Sequence, residues 1–389
     1  MIVHFVRFFK SFPKRGVKMP RAAVICEFNP FHNGHKFLLE KIKSTYADEI
    51  ICVMSGHFVQ RGDIAITDKY ARTKTALRYG ADMVVELPTV YVMASAKTFA
   101  ENGVRLASEL SCDRLCFGSE NSLKELYSTI DRLDSPDTQR MIAENMKRGD
   151  YYPKAVSDAL GQPYGEIIKK PNNILAVEYI RACKCYGIEP IAIPREGVAH
   201  DDVRTGGNIA SASHIRELIT TGEPYHAYTP MTVENPATLA AVESAVLYRL
   251  KSMTREELAK LPDVSEGLEN RIFEVAAQYN SFSEICEQIK TKRYTMARVR
   301  RILLSALLGI TKEMQATPVP YVRVLGVRKE RSALLRTNSL PLIIDVRRGY
   351  DLLDNSAKEI FEIDLKATSL MNIAENTGLN EFSHGIIKQ

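Results

Sequence analysis

The chain has no CxxC pair, and its seven cysteines (Cys26, Cys52, Cys112, Cys116, Cys183, Cys185 and Cys286) are odd in number. Both features argue against a disulfide framework and a zinc ribbon. Several of these residues fall in apolar, strand-like runs, where cysteine packs as a small hydrophobe. No apolar run approaches the roughly 18–20 residues that a bilayer-spanning helix needs. Met1–Val6, interrupted by His4, is too short for the apolar region of a signal peptide, about 7–15 residues. The expectation is a reduced, cytoplasmic protein. Residues 1–21 contain no acid but carry Arg7, Lys10, Lys14, Arg15, Lys18 and Arg21. This extension is read as lying before a natural start at Met19, with a basic RNA arm or a targeting peptide as alternatives. There is no internal repeat and no low-complexity tract.

At 389 residues, 45% hydrophobic and 25% charged, the composition is that of a globular protein of two domains. The net charge of +5 is unevenly spread. Between Thr291 and Arg348, thirteen Lys or Arg face three acids (Glu313, Glu330, Asp345), a local +10. With the +6 of the first 21 residues, this leaves −11 for the remainder. Basic charge gathered in one late segment points to a polyanionic partner, nucleic acid first.

Apolar runs at Ala22–Cys26, Ile50–Met54, Met83–Leu87, Arg114–Phe117 and Ile188–Ile193 read as strands. Helical patterns over Gly34–Tyr46, Thr67–Tyr79, Ser95–Leu110 and Asn172–Tyr186 alternate with them. Such alternation predicts βαβ units and a parallel sheet, an α/β class. Residues 121–170 read as a helical insertion beside it, and Ser213–Thr221 as a short helix. Pro224 and Pro230 mark a linker. The expected division is therefore 22–230 for a nucleotide-binding domain and 231–389 for a mainly helical, basic one. The latter has helices near Pro236–Leu250, Ser265–Tyr279 and Thr295–Leu308, and a strand-like pair at Tyr321–Val327 and Leu340–Val346. Along Thr291–Ile310, Met296, Val299, Ile302, Leu303, Ala306, Leu307 and Ile310 share one helical face. Arg298 and Arg301 project opposite, with Arg300 at the edge, a candidate RNA surface.

The run that carries chemistry is Glu27-Phe28-Asn29-Pro30-Phe31-His32-Asn33-Gly34-His35, between the first strand and the first helix. Ligands of a parallel sheet bind at the carboxyl ends of its strands. A helix starting near Gly34 aims amides at the loop and favours phosphate, and glycine permits close backbone approach. Two imidazoles flanking it suit nucleotidyl transfer, which requires positioning and charge neutralisation at the α-phosphate. A metal site is the weaker reading, because no third ligand lies at a usual spacing; a purely capping role for His32 and His35 is the other alternative.

His32-Asn33-Gly34-His35 resembles the HxGH motif of the nucleotidyltransferase superfamily, built on a Rossmann-like domain. The wider run resembles the bacterial tRNA(Met) cytidine acetate ligase family. So do Met54–Asp63, Ala71-Arg72-Thr73-Lys74, Glu86-Leu87-Pro88, Phe117-Gly118-Ser119-Glu120 and Pro171–Leu175. The resemblance implies that ATP and acetate give acetyl-adenylate and pyrophosphate, with Mg²⁺ accompanying the ATP phosphates. The N4 amine of the wobble cytidine of elongator tRNA(Met) then accepts the acetyl group, giving N4-acetylcytidine. It implies His32 and His35 as the catalytic pair. It implies ATP contacts from Ile25, Cys26, Glu27 and Phe28, from Asn29, Pro30 and Phe31, and from His32, Asn33, Gly34 and His35. Lys36, Phe37, Leu38, Gly118, Asn172, Asn173 and Arg195 complete that set. Ser213 and Arg216 join them if Ser211–Arg216 is the superfamily's second phosphate segment, where His214 replaces an expected small polar residue. Arg298, Arg300 and Arg301 are the expected tRNA contacts.

Gly56-His57 and Gln60–Asp63 either line the acetate or cytidine pocket or order their loop, and Arg72 and Lys74 read as surface or phosphate-steering charges. Two other functions compete: a superfamily enzyme making an adenylylated small-molecule cofactor, and a non-catalytic RNA-binding protein. An acetyl-CoA-dependent enzyme finds no support, since no Gly-rich CoA loop follows a suitable strand.

Overall fold

The structure, a computed structural model, describes residues 20–194, 208–265 and 267–389. The extension through residue 19 and the expected ATP contact Arg195 lie outside the described residues. Ten strands are assigned among the described residues: β1 Arg21–Cys26, β2 Glu49–Ser55, β3 Phe58–Val59, β4 Asp63–Ile64, β5 Met83–Leu87, β6 Arg114–Ser119, β7 Glu189–Pro194, β8 Val322–Val327, β9 Leu342–Ile343 and β10 Ile387–Lys388. The main sheet runs β10-β8-β5-β2-β1-β6-β7, with β9 also on β8. Its pairs are parallel except β5 with β8. β3 and β4 form a separate antiparallel hairpin.

β2 and β5 are buried along their whole length. A central strand covered on both faces favours apolar residues on both, which is why these segments read as nearly continuous apolar runs, with Glu86 of β5 a buried exception. Neighbouring residues nevertheless serve different layers, as the two-residue period of a strand requires. Ile50, Cys52 and Met54 pack with Leu39 and Ile42 of helix Asn33–Thr45 and Ala76 and Leu77 of helix Lys69–Arg78. Ile51 and Val53 pack on the other face, with Val104 of helix Ala96–Glu109 and Ile180 of helix Pro171–Tyr186. From β1 the chain winds first to β2 and β5, and later to β6 and β7 on the other side. The turns after β1 and β6 therefore diverge and leave a crevice at their carboxyl ends.

The helical insertion is present as Leu123–Leu133, Pro136–Lys147, Tyr152–Leu160 and Tyr164–Lys169. The expected boundary at residue 230 needs correction. Val246, Ile272, Val299, Ile302 and Phe361 of the late helices belong to the same core as Ile51 and Val53, and β8 extends the sheet itself. Buried charges fix this junction. Lys69 Nζ lies 2.7 Å from Glu86 Oε1 and 2.8 Å from Glu381 Oε1. Arg323 of β8 meets Glu86 at 3.0 Å and also pairs with Glu381. All four are at most 3% exposed. Arg323 thus counted in sequence as part of a basic RNA-facing segment, yet it is neutralised in the interior. The helix expected from Pro236 begins as a 3-10 turn at Leu239–Val242 and continues as Glu243–Ser252.

Candidate active site

The crevice between β1 and β6 opens into a cavity of about 480 Å³. Glu27 and Asn29 enter it from the turn after β1, and His32, Gly34 and His35 from the start of helix Asn33–Thr45. Gly118 comes from the end of β6, Asn172 from helix Pro171–Tyr186, and Ser213 and Arg216 from helix Ala212–Thr221. Ile25, Cys26, Phe28, Phe37 and Leu38 form apolar wall. One strand–loop–helix unit and two further helix starts thus converge where the sheet switches direction.

Several expected contacts do not border the cavity. Pro30 is buried, and Phe31 is buried and stacked on Tyr79 at 5.8 Å. Lys36 lies over the Tyr79 ring at 5.4 Å. Asn33 donates from Nδ2 to the carbonyls of Asn208 (2.6 Å) and Ala227 (2.9 Å), so it anchors the returning chain. Asn173 faces inward, fully buried, and donates to Asn121 Oδ1 (2.9 Å) and the Ile167 carbonyl (3.0 Å).

The two histidines form a reciprocal cap. His32 Nδ1 accepts from the Gly34 amide at 3.1 Å, and His35 Nδ1 accepts from the His32 amide at 3.2 Å. The Asn33 amide donates to the Tyr228 carbonyl (2.9 Å) and the His35 amide to the His32 carbonyl (2.8 Å). The free amides expected at this helix start are therefore taken, which changes the likeness to a simple anion-binding N-terminus. Each ring accepts at Nδ1 and so carries its proton at Nε2. Donors to a phosphate here are imidazoles, held parallel at 3.7 Å between centroids. Gly34 leaves room for the His32 ring: a Cβ there would sit 3.0 Å from His32 Cε1 and press the ring out of its place. The capping reading of the pair holds, and the cap fixes the tautomer.

Ser211 caps the helix that bears Arg216, accepting from the His214 amide at 3.2 Å. Arg216 Nη1 donates to the Asn29 carbonyl at 2.8 Å, and Asn29 Oδ1 accepts from the Ile66 amide at 2.7 Å. Glu27 Oε1 accepts from the Gln60 amide at 2.7 Å. Burial pushes the Glu27 carboxyl above its usual range, against the Gln60 hydrogen bond and the guanidinium groups of Arg61, Arg216 and Arg72.

The split reading of the loop after β2 resolves residue by residue. Gln60, Arg61 and Asp63 line the cavity. His57 is 1% exposed, beside the buried charge cluster, with neither ring nitrogen hydrogen-bonded. Burial and the nearby Lys69 hold it well below the ordinary imidazole value. Arg72 is not a surface charge. It is wholly buried and donates to the carbonyls of Glu27 (2.7 Å), Ser55 (3.1 Å) and Gly56, clamping the ends of β1 and β2 together. Lys74 is exposed.

The helix Met296–Leu308 also departs from expectation. Arg301 is 9% exposed and donates to the Gln60 carbonyl (3.3 Å) and to Asp263 (3.3 Å). Arg300 lines the cavity and pairs with Asp63 at 3.1 Å. Arg298 donates to the Asp263 carbonyl at 2.6 Å and covers Tyr294 at 4.9 Å. The helix lies under the β3–β4 hairpin, where Gly62, at φ +77°, comes so close that a Cβ would be 2.8 Å from the Arg301 amide. The helical period located an arginine face but not the hairpin that covers it. Just before this helix a shallow groove of about 400 Å³ is lined by Arg271, Lys292, Arg293 and Tyr294 against Gly149 and Gly267. Among the described residues, no group of three or more His, Cys, Asp or Glu is placed to hold a metal ion.

A family model described as HIGH Nucleotidyl Transferase matches residues 19–383. The tRNA(Met) cytidine acetate ligase of Caldanaerobacter subterraneus is 35% identical over 404 residues, spanning 95% of this chain and 100% of its own length. The chain belongs to the tRNA(Met) cytidine acetate ligase family. The ligase of Alkaliphilus metalliredigens is 34% identical over 93% of this chain. Among solved structures, Thermotoga maritima TmcAL bound with alpha-thio ATP superposes with a TM-score of 0.85 at 28% identity, covering 95% of this chain and all of its own. Its apo form gives 0.87. The α/β nucleotidyltransferase fold and the ligase class are those of this family. No helix among the described residues is long and apolar enough to cross a membrane.

Proposed function

We propose that the protein uses ATP to activate acetate as acetyl-adenylate and then acetylates N4 of the wobble cytidine of elongator tRNA(Met). The observation that carries this reading is the imidazole pair fixed by its own cap in a cavity at the switch point of the sheet. Adenylation requires acetate to attack the α-phosphate of ATP while pyrophosphate leaves. Negative charge then grows on the α-phosphate oxygens, and preorganised Nε2–H donors of His32 and His35 stabilise it without rearrangement. Arg61 and Arg216, both on the cavity wall, add positive charge.

Among the described residues, Glu27 and Asp63 are the carboxylates in the cavity wall, and neither belongs to a group of metal ligands there. Mg²⁺ would therefore be held mainly by the ATP phosphates, supplying charge neutralisation there. RNA enters this reading through the groove of Arg271, Lys292, Arg293 and Tyr294, cations with an aromatic face. Acting on tRNA, the enzyme works in the cytoplasm. The test is isotope exchange between pyrophosphate and ATP without tRNA: exchange that requires acetate supports the reading, and exchange indifferent to acetate defeats it.

A further inference from the structure

The two-step reading leaves one proton without a destination. The N4 lone pair attacks the acetyl carbon of the adenylate, the C–N bond forms, and the C–O bond to the phosphate breaks with its electron pair leaving on AMP. The nitrogen must then lose a proton. We propose that Glu27 is the catalytic base of this transfer, taking the N4 proton onto Oε2.

The case is made by elimination among the titratable groups that the described residues place in the cavity wall. His32 and His35 both use Nδ1 as an acceptor toward backbone amides and present Nε2–H, which is the polarity of a donor. Arg61, Arg216 and Arg300 carry guanidinium groups, which donate protons and have no atom to accept one. Asp63 is engaged by Arg300 at 3.1 Å and by the Ile64 amide at 3.0 Å. Tyr179 is buried, with its phenol pushed well above its ordinary value, and the Cys26 thiol is also raised by burial. Glu27 differs from all of these. Among the described residues its carboxylate takes one hydrogen bond, from the Gln60 amide to Oε1 at 2.7 Å. That bond fixes the carboxylate plane and leaves the second oxygen for substrate.

Its holder is itself held. The Gln60 carbonyl accepts from Arg301 at 3.3 Å, so the late helix Met296–Leu308 positions the hairpin that positions the base. Arg301 is a positioning residue in this scheme. The groups facing Glu27 are Arg61 from the hairpin, Arg216 from helix Ala212–Thr221, Arg72 from helix Lys69–Arg78 and Tyr179 from helix Pro171–Tyr186. Burial outweighs the three cations and raises the Glu27 carboxyl, so the acid limb of transfer lies above the ordinary carboxylate range.

The experiment separates the two chemical steps, on which this assignment depends. Enzyme is charged with ATP and labelled acetate, tRNA is added, and single-turnover transfer is followed across pH for wild type, Glu27→Gln and Glu27→Asp. Acetate-dependent pyrophosphate–ATP exchange is measured in parallel. Glu27→Gln keeps a carbonyl to accept the Gln60 amide, so the loop stays ordered. The expected result is transfer slowed by about 10²–10⁴, the range for a general base, and slowed far more than exchange. Wild type and Glu27→Asp show a one-proton acid limb that Glu27→Gln lacks. Equal loss in both steps, or an acid limb retained in Glu27→Gln, overturns the assignment. Wild type that forms no acetyl-adenylate overturns the two-step reading and this assignment with it.

Discussion

Replacing His35 separates its two roles, because one ring nitrogen serves the fold and the other serves the reaction. His35→Ala removes the Nδ1 acceptor of the His32 amide, now bonded at 3.2 Å, and with it half of the cap. Loss of a capping interaction costs about 1 kcal/mol. It also removes the Nε2–H donor, whose loss is expected to lower turnover by about 10²–10³, or roughly 2.7–4 kcal/mol of transition-state stabilisation. His35→Gln isolates the second effect, since glutamine is a natural partner at this position of a capping box. It restores the acceptor but not a ring stacked 3.7 Å from His32. Acetate-dependent pyrophosphate release at saturating ATP should fall by the same large factor in both variants. The urea midpoint should drop in His35→Ala and recover in His35→Gln. Wild-type turnover in His35→Gln would refute the argument, leaving His35 as a cap alone.

The buried junction and the surface groove make three further predictions. Glu381→Ala leaves Lys69 and Arg323 to share Glu86 as their one remaining carboxylate in the interior and should cost about 3–5 kcal/mol in a denaturant titration, the range for breaking a buried pair; a surface-like loss would mean that the late segment docks loosely. His57 is held below its ordinary pKa when folded, so the unfolded chain binds the extra proton and stability falls as pH drops through the imidazole range. Relative to His57→Gln, wild type should lose up to about 1.4 kcal/mol per pH unit below about pH 6.5, whereas parallel stability profiles would contradict this. Asp364, pushed up to about 7 mainly by burial, contributes the opposite slope in both proteins and cancels in the difference. Finally, Arg271→Ala with Lys292→Ala should flatten the log–log salt dependence of tRNA binding by roughly 1.4–1.8, taking about 0.7–0.9 per phosphate, without altering ATP binding; coincident lines would remove the groove from the RNA path.

The sequence exposed the parallel sheet and the motif loop because both are local. Ala22–Cys26 and Met83–Leu87 are apolar runs of strand length, and Glu27–His35 is contiguous. Observed bounds such as Arg21–Cys26 and Met83–Leu87 differ by at most one residue. Long-range partners were not legible. Arg72 and Arg323 are charges by composition, and nothing near them in sequence announces that five carbonyls or two carboxylates enclose them. The β5–β8 pairing joins residues more than two hundred apart. A strand-like run inside a basic segment was visible at Tyr321–Val327, but period-two patterning does not name the neighbour. Likewise, helical periodicity put Arg300 at the edge of an apolar face; only the hairpin around Gly62 shows that this edge is the cavity wall. The helix-start amides were expected to face a phosphate, with a capping role for His32 and His35 as the lesser alternative; the structure shows the cap.

The central claim is that acetate itself, activated by ATP in the His32–His35 cavity, becomes the acetyl group on cytidine. The most direct measurement incubates the protein with carbon-labelled acetate, ATP and total tRNA, without acetyl-CoA, and digests the tRNA to nucleosides. The account predicts label in N4-acetylcytidine from elongator tRNA(Met), with AMP and pyrophosphate formed in equal amount, and initial labelling slowed by about 10²–10³ in His35→Gln. Label that enters only when acetyl-CoA is supplied, or that appears equally in His35→Gln, would contradict it.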